Sequence, residues 1–325
     1  MNQPLPISLS DIQQAAARLA GHVVRTPLLE SPALNAHCGG RVLVKPEVLQ
    51  HTGSFKFRGA LNKLLSLNDA QRAAGVLAFS SGNHAQGVAC AAQLLGIAAT
   101  IVMPADAPRI KVQRTREYGA RVVLYDRLKD DREAIARALA SESGAITIHP
   151  FDDPLVMAGQ GTAGLEIGEQ APTGTIDLLL SPCGGGGLVA GIGTALLAHS
   201  PGLEIHAVEP IAFNDTARSL ALGTRVSNPP HSRSICDALL SPTPGVLTFA
   251  VNQHNRLSGL AVTDAEVKQA IVFAFEHLKL VVEPGGAVAL AALLNGGLKL
   301  DGRTAAVVLS GGNVDPQSYA DYLNA

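Results

Sequence analysis

Short apolar runs alternate with longer helical stretches along most of this chain, and Gly or Pro turns separate them. Runs at 76–79, 100–103, 122–125 and 145–148 have strand length, and helical patterns at 83–95, 108–118 and 130–141 lie between them. Gly96 and Gly119 fall where helices end on a left-handed residue. A second series has strands at 176–180, 204–208 and 305–309, with helices at 187–198, 264–278 and 285–294. A further strand at 41–45 and a helix over 11–20 precede both series. Ser10 is read as the cap of that first helix, with Gln13 in the capping-box position. Parallel strands need long crossovers, so this alternation predicts parallel sheets. Two series predict two open twisted-sheet α/β domains with a ligand cleft between them. The expected division is a larger domain from 1–70 and 154–325 and a smaller one from 72–153.

Composition narrows the function classes. A net charge of −2 in 325 residues gives no electrostatic footprint for nucleic acid or an anionic membrane. No uncharged apolar run of about 18 residues predicts a transmembrane helix, and the first residues lack a signal-peptide pattern. Cys38, Cys90, Cys183 and Cys236 are scattered, which favours free thiols in a reducing, cytoplasmic setting.

Several segments carry chemistry. Lys56 lies in an apolar, glycine-flanked stretch from Gly53 to Ala60. Burial depresses a lysine's pKa and supplies the neutral amine that Schiff-base chemistry needs. The plain alternative is a lysine snorkelling to solvent at a helix start. Ser80, Ser81, Gly82, Asn83 and His84 follow the 76–79 strand and open a helix, where backbone N–H groups can meet an anion; an ordinary capped turn would look similar. Gly184, Gly185, Gly186 and Gly187 stand between a strand and a helix and can wrap a phosphate. Gly185, Gly187 and Ala190 also fit a loose dinucleotide fingerprint, with Glu209 as the ribose acid. Glu209 and Asp215 plus a backbone carbonyl suit Mg²⁺ or Ca²⁺, or are two solvated carboxylates. Ser310 to Asn313 alone is a turn.

Taken together, these segments resemble the fold-type II pyridoxal-phosphate enzymes, and within them the serine/threonine dehydratase and serine racemase family. Lys45, Glu47, Gln50, Gly53, Ser54, Phe55, Lys56, Arg58, Gly59 and Ala60 follow the family's K-x-E-x-x-Q-x-x-G-S-F-K-x-R-G-A. The serine loop, His149-Pro150, the 159–162 GQGT, the glycine run, Glu283-Pro284-Gly285-Gly286 and the 310–313 SGGN then come in the family's order. The resemblance implies a pyridoxal 5′-phosphate enzyme that eliminates the β-hydroxyl of L-threonine or L-serine, in a homodimer or larger assembly. It implies that Lys56 holds the cofactor as a Schiff base and acts as base at Cα. Phe55 then packs beside the ring, Asn83 bonds the phenolic oxygen, Gly184 to Gly187 hold the phosphate, and Ser310 meets the ring nitrogen. The 80–84 loop takes the substrate carboxylate, helped by Arg132, and Ser81 faces the far side of Cα. The cation ligands implied are Glu209, the carbonyl of Phe213, and Asp215.

Two departures bear on substrate. Ala238 stands where the family often has Gly, and Phe151 follows His149-Pro150 where racemases often have Asn. No room is expected for a C-terminal regulatory domain after Asn313. Serine racemase and 3-hydroxyaspartate dehydratase are the near alternatives. A nicotinamide oxidoreductase is a remote one, which leaves the lysine segment unexplained, and a silent binding protein is disfavoured by the intact Lys56.

Overall fold

The structure is a computed structural model that describes residues 5–80, 82–126, 129–171 and 176–324. The strands are β1 (Leu29–Glu30), β2 (Arg41–Pro46), β3 (Val76–Phe79), β4 (Ala99–Pro104), β5 (Arg121–Tyr125), β6 (Ile146–Thr147), β7 (Leu178–Pro182), β8 (Glu204–Pro210), β9 (Ser258–Val262) and β10 (Thr304–Leu309). They form two sheets, one ordered β1-β2-β10-β7-β8-β9 and the other β5-β4-β3-β6. All pairings are parallel except that of the short edge strand β1 with β2. Two open parallel sheets are the expected class. Strand β7 begins at Leu178, two residues later than the apolar run suggested, and the strand β9, opened by Ser258 and Gly259 and buried only at its last residue, was not expected.

The first helix, Leu9–Leu19, is capped by Ser8 with Asp11 closing the capping box, so the Ser10 and Gln13 assignment is corrected. Ile12, Ala15 and Leu19, spaced i, i+3 and i+7, form its buried face. The 264–278 stretch is α-helical over Asp264–Phe273 and widens to a π turn over Ala274–Leu278.

The helix Pro154–Gln170 gives no amphipathic signal, because it is buried nearly all round. It packs against the helices Lys56–Leu65 and Gly187–Leu197. Gly159 lets the first of these crossings close: a Cβ there would lie 2.7 Å from the Cα of Gly59. The core of the four-stranded sheet is continuous with Phe57, Leu61 and Leu64 from the Lys56 helix. The six-stranded sheet has a core on each face. In both sheets the parallel strands end at the same cleft, where open α/β sheets place ligands.

Candidate active site

Beneath the cleft lies a buried ionic cluster. Arg58 donates to both carboxylate oxygens of Glu47, from Nε at 2.7 Å and Nη2 at 2.9 Å, and to Glu166 at 2.6 and 2.9 Å. Lys45 meets Glu166 at 2.6 Å. Lys45, Glu47 and Arg58 are wholly buried, so each charge depends on its partners. Arg58 sits in the first turn of the helix Lys56–Leu65 and ties that turn to Glu47, just past the end of β2, and to Pro154–Gln170.

That anchored turn carries Lys56 into the cleft. Its ammonium donates to the carbonyl of Pro150 at 2.7 Å and lies 5.0 Å from the Phe55 ring centroid. Burial lowers its pKa to about 8. The backbone just before it is zipped to the end of β10: Ser54 bridges Gly311, and Phe55 N–H donates to Ser310 at 3.2 Å.

The glycine run joins β7 to the helix Gly187–Leu197. A Cβ on Gly185 would run into the Phe151 ring, and one on Gly186, where φ is +91°, would lie 2.8 Å from Asn252 Nδ2. The carbonyls of Gly185 and Gly186 are held from behind by Thr248 Oγ1 at 2.6 Å and Asn252 Nδ2 at 3.3 Å. The first N–H groups of the helix have no intrahelical acceptor, and the run lines the pocket.

Phe55, Lys56, Ser80, Gly82, Asn83, His84, Arg132, Ser310 and all four glycines line this one pocket. Asn83 donates from Nδ2 to Glu283 and accepts from Asn313 at 2.9 Å. His84 bonds the carbonyl of Ile148 at 2.9 Å. Burial, aided by the nearby Lys56 charge, lowers its pKa to about 3, so it is neutral and Nε2 is the donor. Arg132 is half-buried, with its guanidinium 5.5 Å from the Phe79 ring centroid. Ser81 lies outside the described residues.

Glu209, Phe213 and Asp215 sit apart from these residues, at the start of the helix Asp215–Leu222. Glu209 accepts from the N–H groups of Thr216 and Ala217 at 3.0 and 2.8 Å. Asp215 accepts from Asn228 at 2.6 Å, while its Oδ2 is buried without a partner among the described residues. Burial raises Glu209 to about 8 and Asp215 to about 6. Among the described residues no group of three or more His, Cys, Asp or Glu side chains is arranged for a metal, so carbonyls would have to complete any shell. Glu209 is fully buried and committed to those amides, so it is no ribose ligand for the glycine run, and the dinucleotide reading loses its acid.

Three charged side chains at or just behind the pocket wall were given no role from the sequence. Lys111 and the half-buried Asp237 line the wall, and Lys111 is also ion-paired with the buried Glu283 just behind it. The 283–286 motif marked Glu283 as a position without a role; Lys111 offered no signal, being one of several cations in a polar helix.

Residues 19–311 match the family described as pyridoxal-phosphate dependent enzyme. An L-threo-3-hydroxyaspartate ammonia-lyase of a Pseudomonas species is 47% identical over 316 residues, which is 97% of this chain and 98% of that one. An L-threonine ammonia-lyase of Thermotoga maritima is 42% identical over 95% of this chain and 76% of its own. The structure of maize serine racemase superposes with a TM-score of 0.92 at 36% identity, over 98% of this chain and 97% of that one.

Proposed function

The chain belongs to the pyridoxal-phosphate-dependent enzyme family, and from that premise we propose that it is an ammonia-lyase acting on an acidic hydroxy amino acid of the 3-hydroxyaspartate type. The products are oxaloacetate and ammonia. The residues present fit the cofactor: a run of four glycines that lines the pocket and opens a helix, a buried lysine with a depressed pKa, and Asn83 and Ser310 on the same pocket. When bound, pyridoxal phosphate supplies an electron-withdrawing ring that acidifies the substrate's Cα–H.

The chain's own groups do the rest. Lys56, steered by the Pro150 carbonyl, takes the Cα proton. The 184–187 amides would hold the cofactor's phosphate, Phe55 would pack beside its ring, and Asn83 and the uncharged Ser310 would hydrogen-bond its polar ring atoms. Ser80, Gly82 and His84 would receive the α-carboxylate; the role of Ser81 at Cα stays what the family resemblance implies, since Ser81 lies outside the described residues. One observation carries the substrate choice. Arg132 presents its guanidinium in the pocket wall with no carboxylate partner among the described residues. It stands in the first turn of the helix Arg132–Ser143, where the macrodipole disfavours a cation. A second substrate carboxylate would give it a bidentate partner. The Pseudomonas relative's name agrees with this reading.

A second reading is L-threonine or L-serine. Ala238, Leu239 and Leu240 give the pocket an apolar side that suits a methyl group, and the Thermotoga relative is named for threonine. Oxo-acid release from L-threo-3-hydroxyaspartate, L-threonine and L-serine decides between them. Arg132→Gln should lower kcat/KM for hydroxyaspartate by roughly 10- to 100-fold, the loss of a charged hydrogen bond, and change threonine turnover little. Higher kcat/KM for L-threonine in the wild type would favour the second reading. We further propose that Glu209, the Phe213 carbonyl and Asp215 take Mg²⁺ or Ca²⁺, supported by the orphan Asp215 oxygen.

A further inference from the structure

The helix Arg109–Glu117 belongs to the four-stranded sheet's side of the cleft, yet two of its cations reach the other side. Lys111 Nζ meets Asp237 at 2.7 Å and Glu283 at 3.1 Å. One turn on, Arg114 donates to Asn313 Oδ1 at 2.9 Å. The three acceptors belong to the segments after β8 and β10 and before the helix Pro284–Leu294, all on the six-stranded side. From Glu283 the bonding runs back across the cleft to Asn83, and Asn313 bonds both Asn83 and the carbonyl of Thr52, at 2.9 and 2.7 Å. The Lys111 stem also packs against Gly82, just before the helix Asn83–Leu95: a Cβ there would lie 2.6 Å from its Cδ. Lys111 is 2% exposed, so its charge exists only through these partners. Burial opposes that charge, and the fields of Glu283 and Asp237 outweigh it and keep the ammonium above its usual range.

We propose that Lys111 is a positioning residue that locks the two sides of the cleft together, holding Asn83 and the serine loop in register with Glu283 and the 237–241 pocket wall. It touches no reacting atom. Its charge neutralises two carboxylates that would otherwise face each other across the pocket wall and push the cleft open. The proposal rests on the family reading for where the cofactor lies and is independent of the substrate choice.

The test compares Lys111→Met, Asp237→Asn and wild type by hydrogen–deuterium exchange, cofactor titration and steady-state kinetics. Lys111→Met should speed exchange in peptides spanning 82–95 and 109–117 by roughly tenfold or more, as expected when one cooperative unit loosens, while β7 and β10 stay protected. Cofactor affinity should fall, and kcat/KM should drop by the same factor for every substrate. Asp237→Asn keeps the Glu283 pair and should shift the same peptides less; it also serves if Lys111→Met does not fold. Wild-type exchange and cofactor affinity in both variants would overturn the proposal. A loss confined to hydroxyaspartate would also overturn it, making Lys111 a substrate ligand and leaving the family reading standing.

Discussion

Lys56 donates its ammonium proton to the backbone carbonyl of Pro150 at 2.7 Å, which joins two sequence motifs 94 residues apart. The carbonyl is a neutral acceptor. It orients the amine without the charge that would hold a proton on it, and burial lowers the pKa to about 8.

That depression has a sign. The folded state releases the Lys56 proton near pH 8, and the unfolded chain near its ordinary value of about 10.4. Between these limits the unfolded chain binds more protons, so the cofactor-free protein gains stability as pH rises through the window. Lys56→Met should remove that gain. Thermal melts of both apo-proteins from pH 7 to 11 give the comparison, with parallel curves as the contrary result. Borohydride reduction of the loaded enzyme should fix the cofactor on Lys56 and on no other lysine.

Arg58 should be more costly to remove than its distance from the chemistry suggests. Arg58→Met strands Glu47 and half-frees Glu166, both buried. Breaking such a pair costs about 3–5 kcal/mol, so urea midpoints should fall sharply. A shift below about 1 kcal/mol would mean the acids take up protons or water at little cost.

Gly185 is a steric requirement. Gly185→Ala should weaken cofactor binding strongly, because its methyl meets the Phe151 ring. Gly185→Ala with Phe151→Ala should recover part of the affinity, since the obstruction is one side chain. Absorbance titration with the cofactor reads both, and no recovery in the double variant would place the obstruction in the backbone.

Glu209 and Asp215 make a pH-dependent prediction. Burial raises Glu209 to about 8, so the cation-free protein has the associated stability below the unfolded carboxylate pKa and loses it as pH rises toward 8. Mg²⁺ or Ca²⁺ binding the folded state would offset the loss by linkage. Chelator should therefore lower the melting temperature more at pH 8 than at pH 5, and Glu209→Gln should abolish the difference. Identical melts with and without chelator at both pH values would remove the cation from the proposal.

Some of this protein was legible in its sequence because the signal is local. The strand Val76–Phe79 and the helix Asn83–Leu95 lie where apolar period and flanking turns put them. Gly96 ends that helix in the left-handed conformation, as a glycine there implies. The motif residues of the pocket were legible too, because each motif is a short backbone device at the end of a strand. Other features depend on partners remote in the chain. The helix Pro154–Gln170 is buried on nearly every side, so no periodic pattern marks it. Its glycines acquire meaning only against the backbones they touch. The order β2-β10-β7 brings Ser310 beside Phe55, which sequence spacing cannot express. Lys111 is one cation among several in its helix; folding alone set it against Asp237 and Glu283. Sequence by itself determined the βα alternation and the residue types at the cleft, because propensity, capping and turn geometry act over a few residues. The tertiary structure decided which charges are buried and which of them meet, because desolvation and ion pairing depend on distances between segments far apart in the chain.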